Sequence, residues 1–335
     1  MERFKLIKLK PRAPFHLGER GVGLEETSEI VHSDTIFGAL CWCWTLYTGR
    51  SAEEFLQPFL EDKPPWLLSS AFPYVGDVLF VPRPLGDLPL CADEGFRRKA
   101  LEADFLSLKL LERLCQGAVP QDNLELSLDG RLLLLSAEKP ALHNIPEPWA
   151  IVQTPRVALD RITSAAEIYY TGRLTFARGC GLYVLVKELD TQSELTRMLP
   201  TLFRLLGDEG LGGERSCGYG FFEPEEHEIS LELPQESPSQ LLLSLYNPQD
   251  AHELARLELR RSAYRLTRRR NWVFSPQAKH LQTRAVNYFS EGSVLYVREG
   301  KIRGRLVNVL NANEGAPHSV YRNGLGFFVS WREGS

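Results

Sequence analysis

The sequence predicts an α+β protein with a ferredoxin-like first part and a strand-rich second part. Three features lead there. Strand–helix–strand segments occur twice in the first two-thirds of the chain, the rhythm of a ferredoxin-like, RNA-recognition type fold. A short stretch, Pro234–Pro238 (PQESP), has the composition of a linker. Beyond it the chain is dominated by apolar, β-rich runs: LLLSLYN, AYRLTRRRNWVF, AVNYFSEGSVLYV and LGFFVSW. With 335 residues the chain is long enough for two domains, and the linker places them at 1–235 and 236–335.

Each element follows from local pattern. Phe4–Leu9 alternates as an edge-to-core strand, and Pro11–Val31 is a long loop rich in Gly and Glu. A helix begins at His32–Thr35, where Ser33 or Asp34 can cap the first N–H groups. It continues through IFGALCWCWTLY to Gly49, with apolar residues around most of its axis, so it is expected to be buried. Ser51-x-x-Glu54 is a capping box opening a second helix. Gly76-Asp77 supplies the turn of a hairpin between FPYV and VLFVPRP. Residues 95–116 form one amphipathic helix, and Pro140–Pro155 is a proline-punctuated connection. Arg173–Phe176 and Gly181–Leu189 are strands, Thr191–Leu206 a helix, and Tyr219–Glu223 the strand that closes the second unit.

Hydrophobic content of 43% and charged content of 24% are those of a globular protein. Met1–Lys10 alternates and holds no apolar run, so neither a signal peptide nor a membrane span is expected. Six scattered cysteines without a CxxC pair, Cys41 and Cys43 facing different sides of the first helix, suit a reduced cytoplasmic protein without structural zinc. The net charge is −4, yet Arg256–Arg305 carries thirteen Lys/Arg against three acids, a balance of +10 that leaves −14 for the remainder. Such asymmetry points to an anionic partner on one surface, or to a solvated basic face paired with acids elsewhere. Arg265 lies in this window, where Tyr264 and Trp272 interleave with arginines as in sites that stack bases.

Gly210–Phe222, GLGGERSCGYGFF, places five glycines within eleven residues. Glycine admits left-handed backbone and close approach. The amides of Gly210, Gly212, Gly213 and Gly218, with Arg215 and Ser216 beside them, can converge on an anion. A glycine hairpin without ligand is the alternative. No lysine closes a phosphate loop of the GxxxxGK[ST] kind, and the segment leads into a strand, not a helix as a dinucleotide fingerprint would.

The seven histidines show no metal spacing. His16 and His32 could act as acid and base in RNA cleavage, whereas His32 at a helix start more simply holds a phosphate or a loop. Asp34 at the same start is a cap. In PRVALDR, Asp160 stands between Arg156 and Arg161 and can pair with either, which stiffens a turn.

Taken with its neighbours, segment 207–222 resembles the glycine-rich loop of the RAMP superfamily, the repeat-associated RNA-binding proteins of CRISPR systems. FHLGERGVGLEETSEIVHSDTIFGALCW (Phe15–Trp42) is similar to the first loop and helix of one RAMP subtype, the type III-A (Csm) subunit that holds the 5′ end of the crRNA. HSVYRNGLGFFV (His318–Val329) resembles that subtype's final aromatic–glycine strand, and TPRVALDRITSAAEIYY (Thr154–Tyr170) the start of its thumb hairpin. The matches keep the family's order from Phe4 to Val329.

The resemblance implies a RAMP fold with a thumb inserted near 140–178, and a non-catalytic RNA-binding subunit without metal or nucleotide cofactor. It implies that Arg20 and Gly21 approach the 5′ tag, with His32 and Ser33 at the helix start also on the RNA-binding surface. Arg156 and Arg161 orient a thumb that wedges near target RNA, with Tyr169 and Tyr170 packed at its base. The glycine loop lies on guide backbone. Tyr321 and Arg322 pack the last strand beside that loop. The partners implied are crRNA, the large polymerase- and nuclease-bearing subunit, and the backbone RAMP subunit. A metal-independent crRNA-processing endoribonuclease, the equivalent type III-B subunit and a protein-only scaffold are the alternatives.

Overall fold

The computed structural model describes residues 1–18, 27–117, 119–142, 145–159, 166–270, 273, 281–312 and 318–331. Its first module is built on β1 (Glu2–Pro11), α1 (Ser33–Thr48), α2 (Ala52–Leu60), β2 (Trp66–Leu68), β3 (Phe72–Val75) and β4 (Val78–Pro82). An inserted layer follows: α3 (Glu94–Glu102), β5 (Phe105–Ser107), α4 (Leu108–Gln116), β6 (Leu124–Ser127) and β7 (Leu132–Leu135). Strands β8 (Trp149–Leu159) and β9 (Ala166–Phe176) make a two-stranded ribbon of their own. The module closes with β10 (Cys180–Glu188), α5 (Glu194–Glu209) and β11 (Phe222–Leu231).

The sheet runs β11-β1-β10-β3-β4-β5-β7-β6, with β2 also on β10. Without the insertion, the last strand lies beside the first, the first beside the third, and the third beside the second. All these pairs are antiparallel, which is the ferredoxin-like arrangement.

Both faces of this sheet are buried. Ile7 and Leu9 of β1 and Leu182, Val184 and Val186 of β10 share a core with α1, α2 and α5. Phe4, Leu6, Tyr183 and Leu185 point the other way, into a core with Leu110, Leu111 and Leu114 of α4 and with Leu241, Phe327, Val329 and Trp331. Period-two alternation sorts each strand between the two cores. The face that an RNA-recognition fold leaves open for bases is therefore covered here.

The covering strands belong to the second module, reached through Pro234–Pro238. In it β12 (Ser239–Leu242) pairs on either side with two later strands. Next come β13 (Leu266–Arg269), β14 (Val286–Phe289), β15 (Val294–Tyr296), β16 (Gly304–Leu310), β17 (Val320–Leu325) and β18 (Phe328–Ser330). Strands β15 and β18 flank β12, and β13/β14 and β16/β17 are antiparallel ribbons.

Several local expectations are corrected. The single helix over 95–116 is two helices, because Phe105 and Leu106 leave the helical path and join the sheet between β4 and β7. Ser107 then caps the restart, its Oγ accepting the N–H of Leu110 at 3.2 Å. The connection over 140–155 is mostly strand from Trp149 onward, and Arg173–Phe176 is only the end of β9. Pro155 is tolerated because a two-stranded ribbon has free edges. The strand expected at Tyr219 starts at Phe222, since Gly218 and Gly220 hold left-handed turns before it.

In α1 the residues Ile36, Phe37, Leu40, Cys43 and Trp44 form the buried stripe, while Leu46 and Tyr47 are exposed. The helix is buried on one side only. Neither Ser33 nor Asp34 caps it: the capping position is His32, and no side chain accepts a bond there. Ser51 does precede α2, but likewise without a capping hydrogen bond.

Candidate nucleic-acid interface

The ribbon of β8 and β9 and the glycine segment after α5 meet at His16. Its Nδ1 lies 2.7 Å from the carbonyl oxygen of Gly172, and its own carbonyl accepts the Gly213 N–H at 2.8 Å. Phe15 and Leu174 beside it exchange two backbone hydrogen bonds. On β8, Arg156 Nη2 donates to Tyr219 Oη at 3.1 Å, and its guanidinium sits 5.5 Å from that ring's centroid. Three segments far apart in sequence are fastened at one place.

The glycines serve this closure. A Cβ on Gly212 would meet the His16 carbonyl oxygen at 2.5 Å, and one on Gly220 would meet that of Leu211 at 2.3 Å. Both positions also have positive φ. The amides of Leu211, Gly213, Cys217, Gly218 and Gly220 donate to carbonyls of Gly220, His16, Glu214, Arg215 and Pro14. The expectation that successive amides converge on an outside anion is corrected for Gly213 and Gly218. Their hydrogen bonds close the loop on the protein itself.

The remaining candidates divide by exposure. Gly213, Ser216 and Gly218 are exposed, Gly212 and Arg215 half-buried, and Gly210 is buried under the carbonyl of Tyr219. Gly210 therefore presents no surface to a ligand. Arg265 is exposed on the second module; among the described residues no hydrogen bond or ion pair joins it to the loop. Arg20, Gly21, Asp160, Arg161 and Trp272 lie outside the described residues. Tyr169 and Tyr170 sit opposite Arg156 and Pro155, nearer the far end of the ribbon than its base.

His32 and Ser33 are corrected to interior roles. His32 Nδ1 is 2.8 Å from Glu291 Oε1, and Ser70 Oγ donates to the same oxygen. The Ser33 N–H donates to Ser70 Oγ at 2.9 Å, and Ser33 Oγ accepts the N–H of Leu245 at 3.0 Å. Both side chains are buried and engaged with the protein, out of reach of a phosphate.

Asp34 is the centre of this buried group. Arg269 Nη2 approaches Oδ1 at 3.2 Å and Arg322 Nη1 approaches Oδ2 at 2.5 Å. Burial alone would raise the carboxyl's pKa. The guanidinium groups of Arg269 and Arg322 outweigh it and hold Asp34 well below the usual carboxylate range. Arg322 thus packs the final long strand against the start of α1 and not beside the glycine loop.

The basic window is likewise partly internal. Arg269 belongs to the core, Arg298 pairs with Glu258 and Arg303 with Asp62. Arg265, Arg268 and Arg270 are exposed. Sequence reasoning missed Tyr219, Thr154, Thr171 and Arg173, which acquire meaning only through the register of β8 with β9. Among the described residues no three His, Cys, Asp or Glu side chains gather as a metal site. No helix there is long and apolar enough to cross a membrane.

A ferredoxin-like core with an inserted hairpin ribbon locked onto a glycine-rich loop defines the RAMP class of CRISPR effector subunits. Within that class the chain is similar to the Csm4 subunits. Residues 235–331 match the CRISPR Csm4 C-terminal domain. The chain is 29% identical over 330 residues to a Csm4 protein of Thermococcus onnurineus (strain NA1), covering 98% of this chain and 96% of that one. It is 24% identical over 321 residues to a Csm4 protein of Mycobacterium tuberculosis (strain ATCC 25618 / H37Rv), covering 95% of each. Among solved structures it is similar to a chain of a Csm1–Csm4 cassette in complex with cA4, with TM-score 0.59 and 25% identity over 99% of this chain and all of that one. A chain of the Csm3–Csm4 subcomplex of a type III-A interference complex shares the fold, with TM-score 0.64 and 16% identity over 99% and 100%.

Proposed function

We propose that this subunit holds the 5′ tag of a crRNA and bridges the large polymerase- and nuclease-bearing subunit to the first backbone RAMP subunit of a type III-A effector. One observation carries the RNA reading. The inserted ribbon and the glycine loop are joined through His16 and through the Arg156–Tyr219 contact, which leaves Gly213, Ser216 and Gly218 exposed beside Arg156 and Arg215. A side-chain-poor rim with two guanidinium groups suits single-stranded RNA, whose backbone is gripped while its bases splay. Burial of both sheet faces directs the ligand to this rim. The Csm1–Csm4 and Csm3–Csm4 assemblies solved for its relatives support the bridging role.

The subunit acts by positioning and contributes no covalent step. The two histidines considered for cleavage are buried, with His16 engaged to Gly172 and His32 to Glu291. Thumb contact with target RNA belongs to the same reading.

The test is binding of the purified chain to RNA bearing a repeat-derived 5′ tag across a salt series. Each phosphate neutralised should steepen the log–log slope by about 0.7. Combined Gly213→Ala and Arg215→Ala should weaken binding and flatten that slope. A folded double variant with unchanged affinity overturns the loop's role. Cleavage of the tagged RNA would favour the nuclease alternative.

A further inference from the structure

The geometry points to an oxyanion subsite on the inner face of the inserted ribbon, formed by Thr154, Thr171, Arg156 and Arg173. It rests on the RNA reading above for its natural ligand, a phosphodiester group of the guide. The register sets Thr154 directly opposite Thr171, Arg173 opposite Val152, and Arg156 opposite Tyr169. These are successive same-face positions, so opposite residues stand about 5 Å apart at Cβ and the next pair about 7 Å along the ribbon. Arg156 shows which way the face points, because it reaches Tyr219 of the glycine segment.

Four polar atoms on this face are shielded from solvent without a hydrogen-bond partner among the described residues: Thr154 Oγ1, Thr171 Oγ1, Arg156 Nε and Arg173 Nε. An orphaned buried hydroxyl or guanidinium N–H is costly, and four together on one face of one ribbon call for a common explanation. Thr171 is fully buried and the other three residues are half-buried, so the group runs from the interior to the surface. Arg156 already faces one acid, Glu214. Two guanidinium forks and two hydroxyls form a donor set matched to a phosphate and poorly matched to a cation or an apolar ligand.

The mainchain nearby is held rigidly. Gly172, between Thr171 and Arg173, is bound by His16, and Leu174 is paired with Phe15. The subsite therefore sits on a fixed support and needs no folding of the ribbon on binding.

The experiment has two arms, both on the full chain. In the first, inorganic phosphate is added at constant ionic strength and the melting temperature followed; the wild type should rise, and Thr171→Val and Arg173→Gln should not. Thr171→Val keeps the side-chain shape, so the comparison survives if the arginine variant folds poorly. In the second, tagged RNA is titrated. Arg173→Gln should weaken binding roughly tenfold, as loss of a charged hydrogen bond implies, and should lower the salt slope by about 0.7. Thr171→Val should weaken binding several-fold without changing the slope. A phosphate effect without RNA binding keeps the subsite and overturns the RNA reading. Equal phosphate response and equal RNA affinity in wild type and both variants overturn the subsite, even if the glycine-loop variant still loses RNA.

Discussion

Asp34 and Arg322, 288 positions apart, meet in the interior, where Nη1 of the arginine donates to Oδ2 of the aspartate at 2.5 Å. Arg269 holds the other carboxylate oxygen, so one acid at the start of α1 ties down two strands of the second module. Together with the shared apolar core, this contact makes the modules interdependent. Replacing Asp34 with Asn leaves two guanidinium groups buried without their counter-charge. The expected cost is about 3–5 kcal/mol, the usual penalty for breaking a buried pair from one side. Glu54→Gln breaks only the exposed Arg50 pair and should cost at most about 1 kcal/mol. Chemical denaturation of the two variants decides it; equal losses would mean that Asp34 is not a tie between modules.

The same group sets acid stability. Asp34 and Glu291 are both held below their ordinary values. Burial pushes each up, but Arg269 and Arg322 act against it at Asp34, and His32 does at Glu291. A carboxyl whose folded pKa is depressed stabilises the protein above its unfolded value, about 4, and that contribution is lost as pH falls toward the folded value. Stability should therefore decline steeply below about pH 4. In Asp34→Asn and in Glu291→Gln the decline should be shallower. Parallel pH profiles for wild type and variants would contradict this.

Close packing in the glycine loop predicts unequal effects at two similar positions. Gly218 and Gly220 both have positive φ, but a Cβ on Gly218 meets nothing within 4 Å whereas one on Gly220 strikes the Leu211 carbonyl. Gly218→Ala should cost about 1–2 kcal/mol of backbone strain alone. Gly220→Ala should cost clearly more and should loosen the loop, visible as faster amide exchange at Leu211. Equal midpoints for the two variants would show that the loop yields freely.

Legibility in the sequence tracked how local each signal was. The strands β1 and β10, the helices α1, α2 and α5, the Gly76-Asp77 turn and the end of α1 at Gly49 are written in neighbouring residues, and the structure has them. The sheet partners of Phe105 and Leu106 are not, because a strand of three residues inside a helical pattern is decided by the slot it fills. His32, Ser33 and Asp34 show the same limit at the site. Polar residues at a helix start have the same local signature whether they cap, bind a ligand or face a buried arginine. Only the distant partners Glu291, Ser70, Arg269 and Arg322 distinguish these roles. The cluster of glycines pointed correctly to unusual backbone, while its cause, approach to His16 and Leu211, is tertiary.

The contact between Arg156 and Tyr219 makes the last prediction. It is a side-chain link between the inserted ribbon and the glycine loop, a hydrogen bond of 3.1 Å with the guanidinium near the ring. Arg156→Lys keeps the charge but loses the planar fork, and Tyr219→Phe keeps the ring but loses the hydroxyl. In a double-mutant cycle the pair should show a coupling of about 0.5–1 kcal/mol, as for a cation against an aromatic face at a partly exposed site. Uncoupling should also reach the RNA. If ribbon and loop grip one ligand together, each single variant weakens tagged RNA by a similar factor, and the double variant is little worse than either. Fully additive losses would mean that the two elements bind independently and that their contact only braces the fold.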